Sequence, residues 1–511
     1  MNTHDKVSAL PAKVGSVSRF EKRLREAAPA VWQKRGEGRA LALFQAMAAR
    51  VPAYAHFLAK HRIRPDSVRT IGDFAQLPTL DKDNYLRAYP LHELCWDGDL
   101  TQTPSTICTT SGSTGEPFYF PHGPFQDAQY ALLAELYLRA NFQIDRKSTL
   151  YINGFPMGAW IGGVFTYKAV TMLAEKSGYP LSIINPGINK AEIIRAVRQL
   201  GPAYDQVIIG SYGPFLKDTL DEGAREGMNW QDYDLGFIFS AEGFSEGFRD
   251  YVLAAAGKPG SLTATLNHYG TVDLGTMSYE TPLAIAARRS ALAYPQLYGS
   301  LFDDAVRLPT LTQYLPELFY FEEREGALLC SAAAGLPLVR YDLKDVGGVY
   351  SFDELDTVCK GNGIDLARSL QDAGCAETLW RLPFVYVYER NDFSVSLYAF
   401  QLYPATIRRA LENAELQDAI TGKFAMKVEY DENQDQRLDV HVELRPDAVA
   451  SPELDARVTA LLTAQLLKES SEYRETYRDK AHRVTPHVIF WPYQHPDFFR
   501  PGGKQKWVVK N

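Results

Sequence analysis

The sequence predicts an α/β chain with two domains, a large layered α/β N-terminal domain and a small α+β C-terminal domain. Three observations carry this. Short apolar strands alternate with helical segments from about residue 145 to 270, a pattern that packs sheets between helices. The apolar run Pro383–Tyr388 ends abruptly in Glu389-Arg390-Asn391-Asp392. The chain's 511 residues also exceed one ordinary domain, and the ~120 beyond this break suffice for a small one. The expected division is 1–388, a junction at 389–392, and 393–511.

The elements follow in order. Over residues 18–60, Leu24, Ala28 and Trp32 and then Leu41, Leu43, Phe44 and Met47 recur near helical spacing. Gly36 and Gly38 are expected to separate two helical segments. Asp66–Pro78 reads as turn, short helix, turn. Residues 126–140 carry Ala128, Leu132, Leu133, Leu136 and Leu138 on an apolar helical surface. Strands are expected at 181–184, 206–209 and 235–239, with helices at 190–200 and from near Ser245. Residues 310–350 read as shorter strands and turns. Beyond the junction the expectation is a strand at 394–400, a helix at 404–416, strands at 423–430 and 437–444, and a helix at 452–468.

Composition narrows the function classes. Charged residues make up 23% and the hydrophobic set 46% of the chain, within the range of globular proteins. A net charge of -8 gives no electrostatic case for nucleic acid or an anionic membrane as partner. Five scattered cysteines form no CxxC pair, so neither a disulfide scaffold nor a zinc knuckle is expected. The first twenty residues lack an apolar signal core, and no apolar run reaches membrane-spanning length. The expected setting is reducing and cytoplasmic.

The most informative segment is Thr109-Thr110-Ser111-Gly112-Ser113-Thr114-Gly115-Glu116-Pro117, after the strand-like Ile107-Cys108. Its glycines allow a tight turn, and its hydroxyls can donate to phosphate oxygens. No Gly-Lys-Ser/Thr follows at Walker spacing. A polar surface turn is the other reading of this segment taken alone.

Further polar motifs follow in chain order. They are Ala241-Glu242-Gly243-Phe244, His268-Tyr269-Gly270-Thr271-Val272-Asp273, Arg340-Tyr341-Asp342-Leu343-Lys344-Asp345, Glu389-Arg390-Asn391-Asp392 and Pro501-Gly502-Gly503-Lys504. Together with Val51–Tyr54 and Leu77–Asp83, the ordered set resembles the adenylate-forming superfamily of acyl-coenzyme A synthetases, adenylation domains and luciferases. The closer resemblance is to its phenylacetate–coenzyme A ligase branch, over roughly residues 35–507.

The resemblance implies the superfamily's fold, with a mobile C-terminal domain and a hinge at 389–392. It implies ATP and Mg²⁺ as cofactors. Thr110, Ser111, Gly112, Ser113, Thr114 and Gly115 would surround the ATP phosphates. Ala241, Glu242 and Gly243 would border the adenine pocket, and Tyr269, Gly270 and Thr271 would lie beside the nucleotide. Asp345 would accept from the ribose hydroxyls, and Arg390 would contact ribose or phosphate. Asp273 would help hold Mg²⁺, an oxygen ligand suited to a hard cation. Lys504 would bridge charge developing on carboxylate and α-phosphate. His268 is read as a base or polar orienter, or as a histidine satisfied within the core.

Several positions depart from the family pattern. Gly243 and Phe244 stand for Pro-Trp, Val272 for a phosphate-binding Thr, and Leu343-Lys344 for Thr-Gly. Ala399 stands for a Gly that lines the pantetheine passage, and Gln401 for an Asn.

Phe155, Met157 and Trp160, with the 210–215 loop, are read as walls of an acid pocket or as core packing. The implied reaction joins an aromatic or medium cyclic carboxylic acid to AMP and then transfers the acyl group to coenzyme A. An amine or amino acid, or a carrier-protein thiol, is the alternative acceptor. A non-catalytic nucleotide sensor is the rival class.

Overall fold

The alternation over residues 145–270 folds as parallel strands joined by helices. The computed structural model describes the chain except residues 1–6, 8, 103–104, 110–117, 160, 303–307, 391–394, 417, 497, 500–507 and 509–511 and the side chains of Pro214, Glu389, Arg390 and Ala405. It divides into two compact units, the larger running to Glu389 and the smaller built mainly of Arg390–Asn511.

In the larger unit, β1 (Thr106–Thr109) pairs with β2 (Tyr119–His122). The main sheet begins with β3 (Thr149–Asn153), β4 (Leu181–Ile184), β5 (Gln206–Gly210), β6 (Leu235–Phe239) and β7 (Thr265–Thr271). Neighbours among these run parallel in the order β7-β6-β5-β3-β4. The remaining strands are β8 (Gly275–Tyr279), β9 (Thr310–Gln313), β10 (Phe319–Arg324), β11 (Ala327–Ala332), β12 (Leu338–Tyr350) and β13 (Phe384–Arg390). They complete an eleven-stranded order, β10-β11-β12-β13-β9-β8-β7-β6-β5-β3-β4.

The parallel strands β3, β5 and β6 are buried along their full length. That burial explains why they read as continuous apolar runs rather than alternating ones. Their faces pack on the helices Lys190–Leu200, Gly213–Arg225 and Glu246–Ala255 through Ile193, Val197, Leu216 and Val252.

Two expectations are corrected. Residues 29–50 form one helix through Gly36 and Gly38. A Cβ at Gly36 would lie 2.7 Å from Pro316 Cβ, so this glycine serves a close helix approach, not a break. The strand expected at 394–400 is a hairpin of β14 (Val395–Leu397) and β15 (Phe400–Leu402). Its turn residues Tyr398 and Ala399 have φ of 47° and 69°.

The smaller unit continues with the helix Pro404–Leu411, then β16 (Ile420–Tyr430) antiparallel to β17 (Gln436–Leu444), and β18 (His487–Trp491) parallel to β17. Helices Pro452–Glu469 and Ser471–Val484 cover this sheet through Val458, Leu462, Tyr473 and Val484. No helix among the described residues is long and apolar enough to cross a membrane.

Candidate active site

β7 and the turn into β8 carry Tyr269 and Asp273, and β12 carries Tyr341 and Asp345. The two segments are cross-linked. Tyr269 OH donates to Asp345 Oδ2 at 2.6 Å, and Tyr341 OH donates to Asp273 Oδ2 at 2.6 Å. Each segment contributes a tyrosine and, four residues later, a carboxylate. Both carboxylates are buried, so they need donors to remain there. A carboxylate offers about four acceptor positions, the capacity a ribose diol needs in addition to the tyrosine. The Tyr269 ring lies nearly parallel to Phe321, 6.2 Å between centroids.

The segment Leu77–Lys82 joins β12 at this point. Leu80 N donates to Arg340 O at 3.1 Å, and Asp342 N donates to Leu80 O at 2.8 Å. This brings Lys82 Nζ to 3.8 Å from Asp273 Oδ1. Lys82 and Tyr341 were missed as site residues, although both lie inside segments the motif reading singled out. Lys344, in the slot of the family glycine, keeps a left-handed backbone at φ 62°. Its ammonium is held by Asp342 at 2.8 Å and Asp81 at 3.1 Å. The Asp–Lys ion pairs thus accompany a conformation that a side chain disfavours.

Asp273 fits a Mg²⁺ ligand in its chemistry, because Mg²⁺ needs one or two carboxylates while substrate phosphates and waters supply the rest. Among the described residues no cluster of three or more His, Cys, Asp or Glu side chains is arranged to hold a metal. A site here would therefore depend on phosphate oxygens.

The loop after β6 holds Ala241, Glu242, Gly243 and Phe244. Ala241 has φ of 78°, unusual for a residue with a Cβ. Ala241 and Gly243 are exposed and Glu242 is half-buried. Phe244 packs on Phe239 and Phe248, with centroids 4.9 and 5.3 Å away. Gly270 is exposed and Thr271 half-buried at the end of β7. Thr271 Oγ1 accepts from Leu274 N at 3.2 Å, which closes the turn carrying Asp273.

His268 is buried between Tyr137 (4.9 Å) and Tyr130 (6.2 Å). Burial pushes its pKa down to about 3, so the ring is neutral at physiological pH. Its Nε2 is buried with no hydrogen-bond partner among the described residues. The carboxylate pairs use Tyr269 and Tyr341, and His268 lies outside both bonds.

Phe155 is buried and meets Tyr212 at 5.8 Å, while Met157 is 37% exposed. Gly210 closes this corner. A Cβ there would overlap the Tyr151 hydroxyl and come within 2.8 Å of Phe155 Cε2. The expected 210–215 loop shortens to Ser211-Tyr212, because a helix starts at Gly213. The segment Thr110–Gly115, Trp160 and Lys504 lie outside the described residues, and Arg390 is described only by its backbone at the end of β13.

No protein-family model and no curated protein matches the sequence. Solved structures do. The chain is similar to 2-hydroxyisobutyryl-CoA ligase in complex with 2-HIB-AMP and CoA in the thioesterification state. The identity is 14%, over 98% of this chain and 94% of that one, with a TM-score of 0.64. The same ligase in the postadenylation state with 2-HIB-AMP gives 15% identity over 96% and 92%, with a TM-score of 0.52. At these identities the likeness is one of fold. The chain shares the two-domain α/β fold of these ligase structures.

Proposed function

We propose that this chain is an ATP-dependent, AMP-forming carboxylic acid ligase. The observation that carries the reading is the crossed pair of buried Tyr–Asp bonds, Tyr269 to Asp345 and Tyr341 to Asp273. It presents two supported carboxylates from segments that resemble nucleotide-binding motifs. The shared fold supports the same reading.

In the first step a carboxylate oxygen bonds to the α-phosphorus of ATP. The bond from that phosphorus to the bridging β-phosphate oxygen breaks, and pyrophosphate leaves. Alignment and charge stabilisation suffice, without a covalent enzyme nucleophile. Asp345 accepts from the ribose and Tyr269 lies against adenine beside Ala241–Gly243. Residues 110–115 and Arg390 meet phosphate or ribose. Asp273 would hold Mg²⁺, which would neutralise phosphate charge. Lys504 stabilises the reacting oxygens. His268, being neutral, acts as a polar orienter toward the acid.

The boundaries 1–388, 389–392 and 393–511 belong to this reading, as does rotation of the small domain about the junction to admit the second nucleophile. The phenylacetate–coenzyme A ligase branch is its finer form. An aromatic or medium cyclic acid suits the apolar Phe155 and Tyr212. Coenzyme A is the proposed acceptor. An amine, amino acid or carrier-protein thiol stays beside it because Ala399 carries a methyl in the β14–β15 turn, where the family resemblance places a glycine.

The test is acid-dependent pyrophosphate release over a panel of carboxylic acids, repeated with coenzyme A and with amino acids. Lys504→Ala should abolish release in wild-type-like folded protein. No release with any acid would sink the ligase reading. Amide as the sole product would leave adenylation standing and remove coenzyme A.

A further inference from the structure

We infer that a buried ion network behind β7 and β8 sets the geometry of the 241–244 loop, with Asn267 and Arg288 as its positioning residues. This rests on the nucleotide-binding reading of that loop. The network has four nearly inaccessible charges, Glu246, Arg249, Glu280 and Arg288. Arg249 donates to Glu246 Oε2 at 2.9 Å, Thr265 Oγ1 at 2.9 Å and Glu280 Oε1 at 2.7 Å. Arg288 donates to Glu246 Oε1 and, at 2.8 Å, to Pro309 O. Arg289 adds a bond to Glu246 at 2.9 Å and reaches the surface at Asp250.

The loop is tethered to this network at three points. Arg288 Nη2 donates to Phe244 O at 2.6 Å. Asn267 Nδ2 donates to Glu242 O at 2.8 Å. The Arg249 guanidinium lies over the Phe244 ring, 4.9 Å from its centroid. Asn267 is itself fixed, because its N–H donates to Glu280 Oε2 at 2.9 Å and its carbonyl accepts from Glu280 N at 2.8 Å.

Two alternate carbonyls of the loop are thus gripped from below, while Ala241 and Gly243 face solvent. The grip explains how Ala241 is held at φ 78°, a conformation that persists only where surroundings over-determine it. A helix-start loop needs no buried four-charge cluster merely to fold, since Ser245 already caps the following helix by accepting from Phe248 N. The tethers act on the carbonyls of the segment that would border adenine. A shift there changes base recognition before it changes the rest of the site.

Asn267→Ala separates positioning from folding. It removes one tether and also the buried Asn267 Oδ1, which has no partner among the described residues. The four charges remain paired. Calorimetry on the full chain should show ATP affinity lowered by about tenfold, equivalent to ~1.4 kcal/mol. The preference for ATP over GTP should narrow, while the KM for the acid and the unfolding midpoint stay near wild type. Arg288→Lys, which keeps the charge but loses the planar fork, should move the same readouts in the same direction.

Unchanged ATP affinity and base preference in folded Asn267→Ala would overturn the inference while wild-type ATP binding left the ligase reading intact. A parallel fall in ATP affinity, acid affinity and unfolding midpoint would also overturn it, as a purely structural effect. Wild-type protein that binds no ATP in the same titration would defeat the nucleotide reading and this inference with it.

Discussion

Neighbouring residues on β7 and at the C-terminal end of β8 bury polar side chains in opposite ways. Asn267 and Glu280 join the ion network, in which every charge has a partner. His268 and Tyr279, one residue along each strand and paired in register, join an aromatic cluster instead. There His268 Nε2 and the Tyr279 hydroxyl are buried with no partner among the described residues. Strand alternation separates the two sets. The protonation states follow. Burial pushes Glu246 up, but Arg249, Arg288 and Arg289 outweigh it and hold it below its usual range. His268 has only burial acting on it, and it loses its proton. Paired groups stay charged at little net gain. Unpaired ones are buried in their neutral form.

The most severe way to break the comparison is to remove one partner from the paired side. Arg249→Met leaves Glu246 and Glu280 short of a cation inside the protein. It should lower stability by about 3–5 kcal/mol, the usual result of orphaning a buried charge. Urea unfolding at neutral pH measures this directly. A loss under ~1 kcal/mol would mean that water reaches the site and that the network does not grip the loop.

Acid breaks the unpaired side first. The folded-state pKa of His268, about 3, lies below its ordinary value of 6.5. The unfolded chain therefore binds the proton first as pH falls. The stability present above pH 6.5 is lost progressively toward pH 3, at about 1.4 kcal/mol per pH unit for one proton. His122, pushed down to about 4 mainly by burial, adds to the same slope. Stability measured from pH 7 to 5 should fall, and His268→Phe should flatten that slope by one proton. An unchanged slope would place the His268 proton elsewhere. The Glu246 contribution has the opposite origin, a depressed carboxylate. It is lost only below the ordinary carboxylate pKa of about 4.3.

The strands were legible where burial on both faces made them continuous. Residues 206–209 and 235–239 read as strands and fold as the fully buried β5 and β6, and 181–184 reads as a strand and folds as the partly exposed edge strand β4. β7 was read only as a motif and β8 not at all, because Asn267, His268 and Tyr269 interrupt the apolar pattern with groups whose partners lie far along the chain. The same reason hid the ion network. Arg249 and Glu280 are 31 residues apart and Arg288 and Glu246 are 42 apart, and nothing local marks them as partners. Asp345 and Asp273 were legible through their motif slots. Tyr269 was legible in the same way, but Tyr341 and the bonds that cross-link the two segments were not, since Tyr341 to Asp273 is a contact across 68 residues. Ser470 ends one helix and caps the next, and the second of these, Ser471–Val484, escaped notice because its polar composition masks its buried Tyr473 and Val484.

The smallest expected effect sharpens the comparison most finely, because it uses two alanines in the same backbone region. Ala241 at φ 78° sits in the gripped loop, and Ala399 at φ 69° sits in a two-residue hairpin turn. Glycine adopts this conformation without the Cβ penalty of roughly 1 kcal/mol, but it also gains freedom in the unfolded chain. At Ala399 the neighbouring Tyr398 N donates to Gln436 Oε1 at 2.7 Å, and the buried Lys480 ammonium lies 5.3 Å from the Tyr398 ring centroid. Relief of the left-handed strain should dominate, and Ala399→Gly should raise the unfolding midpoint of the small unit by an amount worth under ~1 kcal/mol. At Ala241 the tethers at Glu242 and Phe244 persist, so Ala241→Gly should give the same relief without altering ATP affinity. Weaker ATP binding in Ala241→Gly would show that the methyl, rather than the tethers, defines the loop. For Ala399 the decisive measurement adds product analysis from one acyl-adenylate. If coenzyme A enters past this turn, Ala399→Gly should preserve or increase thioester formation. A wild-type preference for an amine, with no thioester gained on substitution, would move the acceptor assignment to the amide side.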